Sequence, residues 1–258
     1  MLSIKEIKLL VKNKKARDSQ GLFVTEGRKL FLEAPWDRVV QVLMTKDFAS
    51  QHPDLVSQIP ADVPSLIDME RSRFIEVADT KTPQGVLTIV RKEEPSLETY
   101  LASCGAAPFF LLLENLQDPG NAGTILRTAE AAGVDAVFLT EGSVDIYAPK
   151  TIRATMGSIY RVPHFHVPDS LSFLKKMSTM GVTSFAAHLR GDRAYTDCLF
   201  DGGTCLIIGN EGNGITDATA ECADVLMKIP MSGKVESLNA AMAAGILMYE
   251  VRRQRNEK

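Results

Sequence analysis

The sequence predicts an α/β fold in two parts, a small α/β domain followed by a larger domain built on a parallel sheet. Three observations support this prediction. Short apolar segments alternate with helical segments through the second half of the chain, a weaker alternation occupies about the first 90 residues, and a charged, proline-containing stretch separates the two. At 258 residues the chain is long enough for one large core or two modest ones.

The first domain is predicted over residues 1–92 from its order of elements. A helix opens it, with apolar residues at helical spacing behind Ser3 as cap and with Glu6 three residues further on. Next come a strand in "GLFVTEG", a helix in "GRKLFLEA", a strand in "DRVVQVLMT", a helix in "DMERSRFIEVAD" and a strand in "QGVLTIVR". The linker is placed at 93–107, within "KEEPSLETYLASCGAAP".

The second domain, residues 108–258, has a clearer alternation. Its predicted strands are "FFLLLE", "AVFLT", "VPHFHV", "VTSFAAH", "TCLIIG" and "DVLMKIP". Its predicted helices are "GTILRTAEAAG", "APKTIRATMGSI", "DSLSFLKKMSTM" and the closing "SLNAAMAAGILMYEVRRQ". Strands that alternate with helices form a mostly parallel sheet covered on both faces.

Composition excludes several classes of protein. The apolar share of 45% and the charged share of 24% are typical of a globular protein. No apolar run approaches the roughly 20 residues that span a bilayer, and the lysine-rich start is not a secretory signal. The four cysteines lack CxxC spacing, which favours free thiols in a reducing compartment over disulfides or zinc. We therefore expect a cytoplasmic protein with no membrane partner.

Basic residues concentrate at the start of the chain. Residues 1–30 contain eight lysines and arginines against three acidic residues, although the net charge of the chain is −3. A local basic patch can bind the phosphates of a nucleic acid. The candidate RNA-binding residues are Lys12, Lys14, Lys15, Arg17 and Arg28. A solvated helix face remains an alternative explanation.

Three polar, glycine-containing loops follow predicted strands. They lie in "NLQDPGNAGTILR", "IIGNEGNGI" and "IPMSGKVESLNAA". Ligands of open parallel sheets bind beyond the carboxyl ends of the strands. The three loops would then gather one guanidinium, one carboxylate, one hydroxyl and two carboxamides at one site, from Arg127, Glu211, Ser237, Asn121 and Asn239.

Other motif assignments fit less well. "GNEGNG" is not GxGxxG, falls late in the chain and holds a carboxylate that would repel a pyrophosphate. There is no P-loop and no GxSxG motif, and His164 and His166 lack a third metal ligand at motif spacing. Each loop also has a structural explanation on its own: turn formers and caps in the first, an exposed helical Arg127, and Ser237 as an N-cap.

The three loops, taken in order over residues 115–250, resemble the three motifs of the SpoU/TrmH class of SPOUT RNA 2′-O-ribose methyltransferases. "KNKKARDSQGLFVTEGRKLFLEA" is similar to the small substrate-binding domain that many members carry. The resemblance implies a catalytic domain with a parallel sheet and a deep trefoil knot, S-adenosylmethionine as cofactor, and a homodimer formed near the closing helix. It implies no metal.

The resemblance also implies residue roles. The functional polar positions fall on Asn121, Arg127, Glu211, Ser237 and Asn239. The cofactor-binding positions fall on Gly209, Ile229 and Leu238, with Ala187, His188 and Met231 at the pocket. Arg127 is expected to stabilise the developing alkoxide, because a guanidinium is not deprotonated in proteins. Glu211 is expected either to pair with Arg127 or to orient Asn121, and Ser237 and Asn239 to shape the ribose end of the site.

The implied reaction is methylation of a ribose 2′-hydroxyl in structured RNA. The N-terminal domain favours ribosomal RNA as substrate, by analogy with other members. The alternatives are a tRNA 2′-O-methyltransferase, a base methyltransferase of the wider class, and a non-catalytic RNA-binding homologue. Housekeeping and antibiotic-resistance roles both remain open.

Overall fold

The computed structural model describes residues 1–93, 95–235 and 237–256. The chain forms two compact units. Unit 1 comprises Met1–Glu94 and Asp145–Tyr160, and unit 2 comprises Pro95–Val144 and Arg161–Lys258. Asp145–Tyr160 thus packs with unit 1, although it falls inside the second domain as predicted from the sequence.

Unit 1 is built on a mixed sheet. Its strands are β1 (Leu22–Glu26), β2 (Val39–Thr45), β3 (Ser65–Met69) and β4 (Val86–Arg91), and the helices before residue 94 are α1 (Ile4–Lys12), α2 (Lys14–Gln20), α3 (Arg28–Leu32), α4 (Lys46–Gln51), α5 (Pro53–Val56) and α6 (Arg71–Val77). The strand order is β1-β4-β2-β3, with β2 and β3 parallel and the other pairs antiparallel. The predicted cap of α1 is confirmed, since Ser3 Oγ accepts from Glu6 N at 3.3 Å.

Four of the labelled helices and strands before residue 94 were not predicted: α2, α4, α5 and β3. Helix α2 has no apolar stripe, and the residue that it buries is Arg17. It starts because Asn13 Oδ1 accepts from Lys15 N at 2.9 Å. Strand β3 is a partly exposed edge strand that follows a proline-containing loop, so it lacks a clear alternation of apolar residues.

Unit 2 contains the larger sheet. In chain order the remaining elements are α7 (Leu97–Ser103), β5 (Phe109–Leu113), α8 (Pro119–Ala132), β6 (Ala136–Thr140), α9 (Pro149–Thr155, which belongs to unit 1), β7 (His164–Val167), α10 (Ser170–Thr179), β8 (Thr183–Ala187), β9 (Arg193–Ala194), β10 (Thr204–Ile208), α11 (Asp217–Cys222), β11 (Val225–Lys228) and α12 (Ala240–Asn256). The described strands form a sheet in the order β7-β6-β5-β10-β8-β11-β9, and every pairing is parallel. The predicted parallel sheet is confirmed. The trefoil knot stays a prediction.

The core of unit 2 lies along the sheet. Phe110, Phe138 and Ile207 are fully buried and belong to a cluster that also includes residues of helix α10. Helix α7, which lies wholly within the predicted linker, contributes buried Leu101 to this cluster. Within the described residues, no helix is long and apolar enough to cross a bilayer.

The strand order explains where the loops meet. From β5 the chain moves outwards through β6 to β7, and it later inserts β10 between β5 and β8. The carboxyl ends of β5, β10, β8 and β11 therefore lie along one edge of the sheet, at the point where the strand order reverses. Ligands of open α/β sheets bind at this position.

Candidate active site

A cavity of about 610 Å³ lies at the carboxyl ends of these strands. It is lined by the segments that follow β8, β10 and β11, together with the start of α12. All six residues predicted to bind a cofactor line it: Ala187, His188, Gly209, Ile229, Met231 and Leu238. Two of the predicted catalytic residues, Glu211 and Ser237, line it as well.

The conformation of the second loop, which lines the cavity, depends on two glycines. The second loop (residues 209–216) folds back on itself, since Asn210 N donates to Gly214 O and Gly214 N donates to Asn210 O, both at 2.9 Å. A Cβ at Gly209 would overlap the backbone of Gly214 and Ile215. Gly214 has a φ of +69°, in the left-handed region. The glycines seen in the sequence therefore let backbone approach backbone beside the cavity.

A chain of hydrogen bonds links three of the predicted catalytic residues. Asn239 Oδ1 accepts from the N–H groups of Ala241 at 2.9 Å and Met242 at 3.3 Å, so Asn239 caps α12. Asn239 Nδ2 donates to Asn121 Oδ1 at 2.9 Å, and Asn121 Nδ2 donates to Glu211 Oε1 at 3.0 Å. The backbone donors at one end and the carboxylate at the other fix the orientation of both amides.

The carboxylate of Glu211 also binds the first loop (residues 114–118). It accepts from the backbone N–H of Gln117 at 3.0 Å and of Asp118 at 2.9 Å. Partial burial would raise the pKa of Glu211, but the hydrogen bonds from Asn121, Gln117 and Asp118 outweigh it and lower the pKa below its ordinary value. Glu211 is therefore a carboxylate at neutral pH.

Arg127 and Ser237 complete the predicted set without joining this chain. Arg127 is exposed on α8, six residues beyond Asn121, and it does not line the cavity. Among the described residues it makes no hydrogen bond or ion pair, so its guanidinium is available to a substrate. An ion pair between Glu211 and Arg127, which the residue types suggest, does not form among the described residues. Ser237 is exposed at the cavity, and Asn239 rather than Ser237 caps α12.

Several structural residues of the site were missed from the sequence. Glu114, 3% exposed, accepts from the hydroxyls of Ser170, Thr216 and Thr219, and from Thr216 N at 2.8 Å. It thereby attaches the end of the second loop to the first. Asn210 attaches the beginning of the second loop to Asn115. The first Asn of "GNEGNG", Asn210, was the sequence signal that could have indicated this contact.

Four of the five candidate RNA-binding residues are exposed. Lys12, Lys14 and Lys15 lie at the junction of α1 and α2, and Arg28 begins α3. The prediction for Arg17 is wrong. Arg17 is 4% exposed, donates to Leu10 O at 2.6 Å and pairs with Asp145 at 2.5 Å, so its guanidinium cannot reach a phosphate.

The fold and the site together define a class of α/β protein. Its glycine-containing cavity lies at the carboxyl ends of parallel strands, beside the hydrogen-bonded residues Asn121, Glu211 and Asn239. The model of the SpoU rRNA methylase family matches residues 108–249, and that of an MRM3-like substrate binding domain matches residues 2–88. The chain belongs to the SpoU rRNA methylase family.

Individual relatives agree with the family models. The 23S rRNA (guanosine(2553)-2′-O)-methyltransferase RlmP of Bacillus subtilis is 34% identical over 93% of this chain and 92% of its own length. The structure of the SpoU methyltransferase AviRb from Streptomyces viridochromogenes, in complex with AdoMet, has a TM-score of 0.86 at 26% identity over 98% of this chain and 97% of that one. That of an AdoMet-bound rRNA methyltransferase from Sinorhizobium meliloti has a TM-score of 0.83 at 28% identity over 97% of this chain and 94% of that one.

Proposed function

We propose that this protein transfers the methyl group of S-adenosylmethionine to a ribose 2′-hydroxyl of ribosomal RNA. The observation that carries the proposal is the hydrogen-bonded chain of Asn239, Asn121 and Glu211, which joins all three motif loops at the rim of the cavity. The match to the SpoU rRNA methylase family over residues 108–249 supports the reaction class.

The cavity fits the methyl donor in shape and charge. Gly209 lets the second loop fold closely on itself beside the cavity, because a Cβ there would overlap Gly214 and Ile215. Ile229, Met231 and Leu238 offer apolar contacts. The carboxylate of Glu211 is the negative charge that a sulfonium favours. Two solved relatives bind AdoMet in folds that match nearly the whole chain. When bound, the donor supplies an electrophilic methyl group.

The reaction is an in-line displacement. The ribose 2′-oxygen forms a bond to the methyl carbon, the bond from carbon to sulfur breaks, and the hydroxyl proton leaves. Because the sulfonium charge disappears, the protein has to align the hydroxyl and stabilise negative charge on its oxygen. Arg127, exposed and without a partner among the described residues, is the group that we assign to this charge. The proton passes to a phosphate of the RNA or to water, since a guanidinium remains protonated.

Ribosomal RNA is favoured over tRNA as the substrate by the N-terminal part of the chain. The MRM3-like substrate binding domain covers residues 2–88, and the Bacillus subtilis relative, named for 23S rRNA, matches 93% of this chain. The exposed Lys12, Lys14, Lys15 and Arg28 of this domain are suited to phosphates. A tRNA substrate is the second candidate.

We also propose that the protein is a cytoplasmic homodimer. The support for a dimer is the apolar surface of α12, where Met242 is 61% and Tyr249 is 50% exposed. These residues lie seven apart, on one face of the helix. Light scattering of the purified protein and of Met242→Glu tests this: a dimer that the substitution converts to a monomer supports the proposal, and a monomeric wild type contradicts it.

The reaction is tested with labelled S-adenosylmethionine and total RNA from cells that lack the protein. The RNA is separated into ribosomal and transfer fractions and digested to nucleosides. A labelled 2′-O-methyl nucleoside in the ribosomal fraction, absent with Arg127→Ala, supports the proposal. Label in the tRNA fraction moves the substrate to the second candidate. Donor binding by calorimetry without label in any RNA would favour the non-catalytic alternative.

A further inference from the structure

Asn210 connects two loops of the cavity rim through one side chain. Its Nδ2 donates to Asn115 O at 2.9 Å, across 95 positions of sequence. Its Oδ1 accepts from Gly212 N at 2.9 Å and Asn213 N at 3.0 Å. Two backbone donors require the oxygen on their side, so the orientation of the amide is fixed and its NH₂ group faces Asn115.

Asn115 is the residue at which the chain leaves β5 and turns towards α8. It has a φ of +54°, in the left-handed region that asparagine tolerates better than most residues. Its N–H donates to Thr140 Oγ1 at 2.9 Å, and its carbonyl accepts a second bond, from Gln117 Nε2 at 3.1 Å. The bond from Asn210 therefore ends on a backbone unit that is held from several sides.

The position of Asn210 in sequence gives this bond its significance. The next residue is Glu211. Its carboxylate accepts from Gln117 N and Asp118 N, on the same loop as Asn115, and from Asn121 Nδ2 on the helix that follows that loop. The spacing between the two loops at Asn210 thus governs whether Glu211 can form its three bonds. Asn121 takes its orientation from its hydrogen bonds to Glu211 and Asn239. A change in the spacing of the two loops would therefore also change the orientation of Asn121.

We infer that Asn210 is a positioning residue for methyl transfer, which holds Asn115 so that Glu211 orients Asn121. The inference rests on the proposed function for its catalytic consequence. Asn210 also lines the cavity, but the role assigned to it is exerted through the position of Glu211. Loss of the bond leaves Glu211 to order the first loop alone, and the rim residues then sample misaligned arrangements.

Two substitutions isolate the bond between the loops. Asn210→Asp keeps the oxygen that accepts from Gly212 and Asn213, but it replaces the NH₂ donor with an oxygen. Asn210→Ser also lacks that donor and carries no charge, so agreement between the two variants excludes the added charge as the cause. Asp169→Asn is the matched control, because Asp169 caps α10 by accepting from Ser172 N at 2.8 Å and does not line the cavity.

The first measurement is steady-state methylation, with S-adenosylmethionine and ribosomal RNA from cells that lack the protein. We expect kcat to fall on the order of tenfold in both Asn210 variants, with a smaller change in the donor Kd and no change in Asp169→Asn. In a Glu211→Gln background the same substitutions should cause little further loss, because they act through Glu211. Unchanged kcat, or losses that multiply fully in the double variants, would overturn the inference.

A second measurement does not depend on turnover. Amide hydrogen exchange at Gln117 and Asp118 reports the bonds to Glu211, and we expect faster exchange at both in Asn210→Asp and Asn210→Ser than in the wild type. Unchanged protection overturns the inference even if the variants lose activity. If the wild type methylates no RNA, the proposed function fails, and the exchange data still decide whether Asn210 positions Glu211.

Discussion

Asn121 donates to Glu211 at 3.0 Å although 90 positions of sequence separate the two residues. The contact is possible because β5 and β10, the strands that precede them, are parallel neighbours whose carboxyl ends coincide. The same carboxylate also takes two backbone N–H groups of the first loop. One acidic side chain therefore joins the first loop and the start of α8 to the second loop, which lines the cavity.

Glu211→Gln should lower the stability of the folded protein by an amount that depends on pH. The folded state lowers the pKa of Glu211 below its ordinary value, despite partial burial, through hydrogen bonds from Asn121, Gln117 and Asp118. A lowered pKa stabilises the fold above the ordinary value of about 4.3, and this contribution is lost as the pH falls through the folded pKa. We expect the difference in melting temperature between wild type and Glu211→Gln to be constant from pH 8 to about pH 5 and to close below about pH 4.

Scanning calorimetry at several pH values provides the measurement. Asp169→Asn is not a suitable control here, because the pKa of Asp169 is itself lowered, chiefly by the backbone hydrogen bond from Ser172. Lys46→Gln serves instead, because Lys46 is exposed at the start of α4. A difference that widens at acid pH would contradict the role assigned to the carboxylate.

Arg127→Lys separates charge from geometry. Lysine keeps the positive charge but lacks the planar fork of donors that a guanidinium offers to an alkoxide and a phosphate. We expect single-turnover methyl transfer to fall roughly 100-fold or more, with the donor Kd unchanged because Arg127 does not line the cavity. A rate close to that of the wild type would show that charge alone suffices.

Gly209→Ala tests the shape of the cavity. The added Cβ would overlap the backbone of Gly214 and Ile215. Because the overlapping atoms belong to the backbone and not to a flexible side chain, the second loop has to move. We expect the affinity for S-adenosylmethionine, measured by calorimetry, to fall at least about tenfold. Gly202→Ala is the matched control, because a Cβ at Gly202 meets no atom within 4 Å. Equal donor affinity in both variants would exclude a requirement for glycine at 209.

The sequence predicted the architecture of the site well for a physical reason. Parallel strands place their carboxyl ends on one edge, so three polar loops that each follow a strand had to meet. Strand β6, Ala136–Thr140, coincides with the predicted segment "AVFLT", because a fully buried strand is a continuous apolar run. The hydrogen bond from Asn121 to Glu211, which the residue types suggested, is present.

The sequence could not predict which polar residues are structural. Arg17 lies in a basic segment and resembles its lysine neighbours, but its partner Asp145 is 128 positions away. Asn210 and Glu211 are adjacent polar residues of one loop, and their different contacts depend on the φ of Asn115 and on the register of β5 with β10. Helix α7 was assigned to the linker because its burial depends on packing of Leu101 against the sheet. Each case depends on long-range contacts.

The contrast between Arg17 and its exposed neighbours gives the last prediction. Substitution of Lys12, Lys14, Lys15 and Arg28 by glutamine should weaken binding to ribosomal RNA and reduce the slope of log K against log salt by about 0.7 for each phosphate that the protein no longer neutralises. The donor affinity should not change, and Lys46→Gln is the single-lysine control.

Arg17→Ala should instead lower the free energy of unfolding by about 3–5 kcal/mol, because it leaves Asp145 in a largely buried position without its cation.

Urea unfolding and RNA titrations at several salt concentrations, made on the same set of variants, distinguish the two effects. The exposed variants should unfold at the urea concentration of the wild type while their RNA affinity falls. Arg17→Ala should unfold earlier, while its folded fraction keeps the salt slope of the wild type, because a guanidinium that is 4% exposed does not reach a phosphate. A reduced slope in Arg17→Ala with unchanged stability would reverse the assignment, and an unchanged affinity in the exposed variants at low salt would exclude this surface from RNA binding.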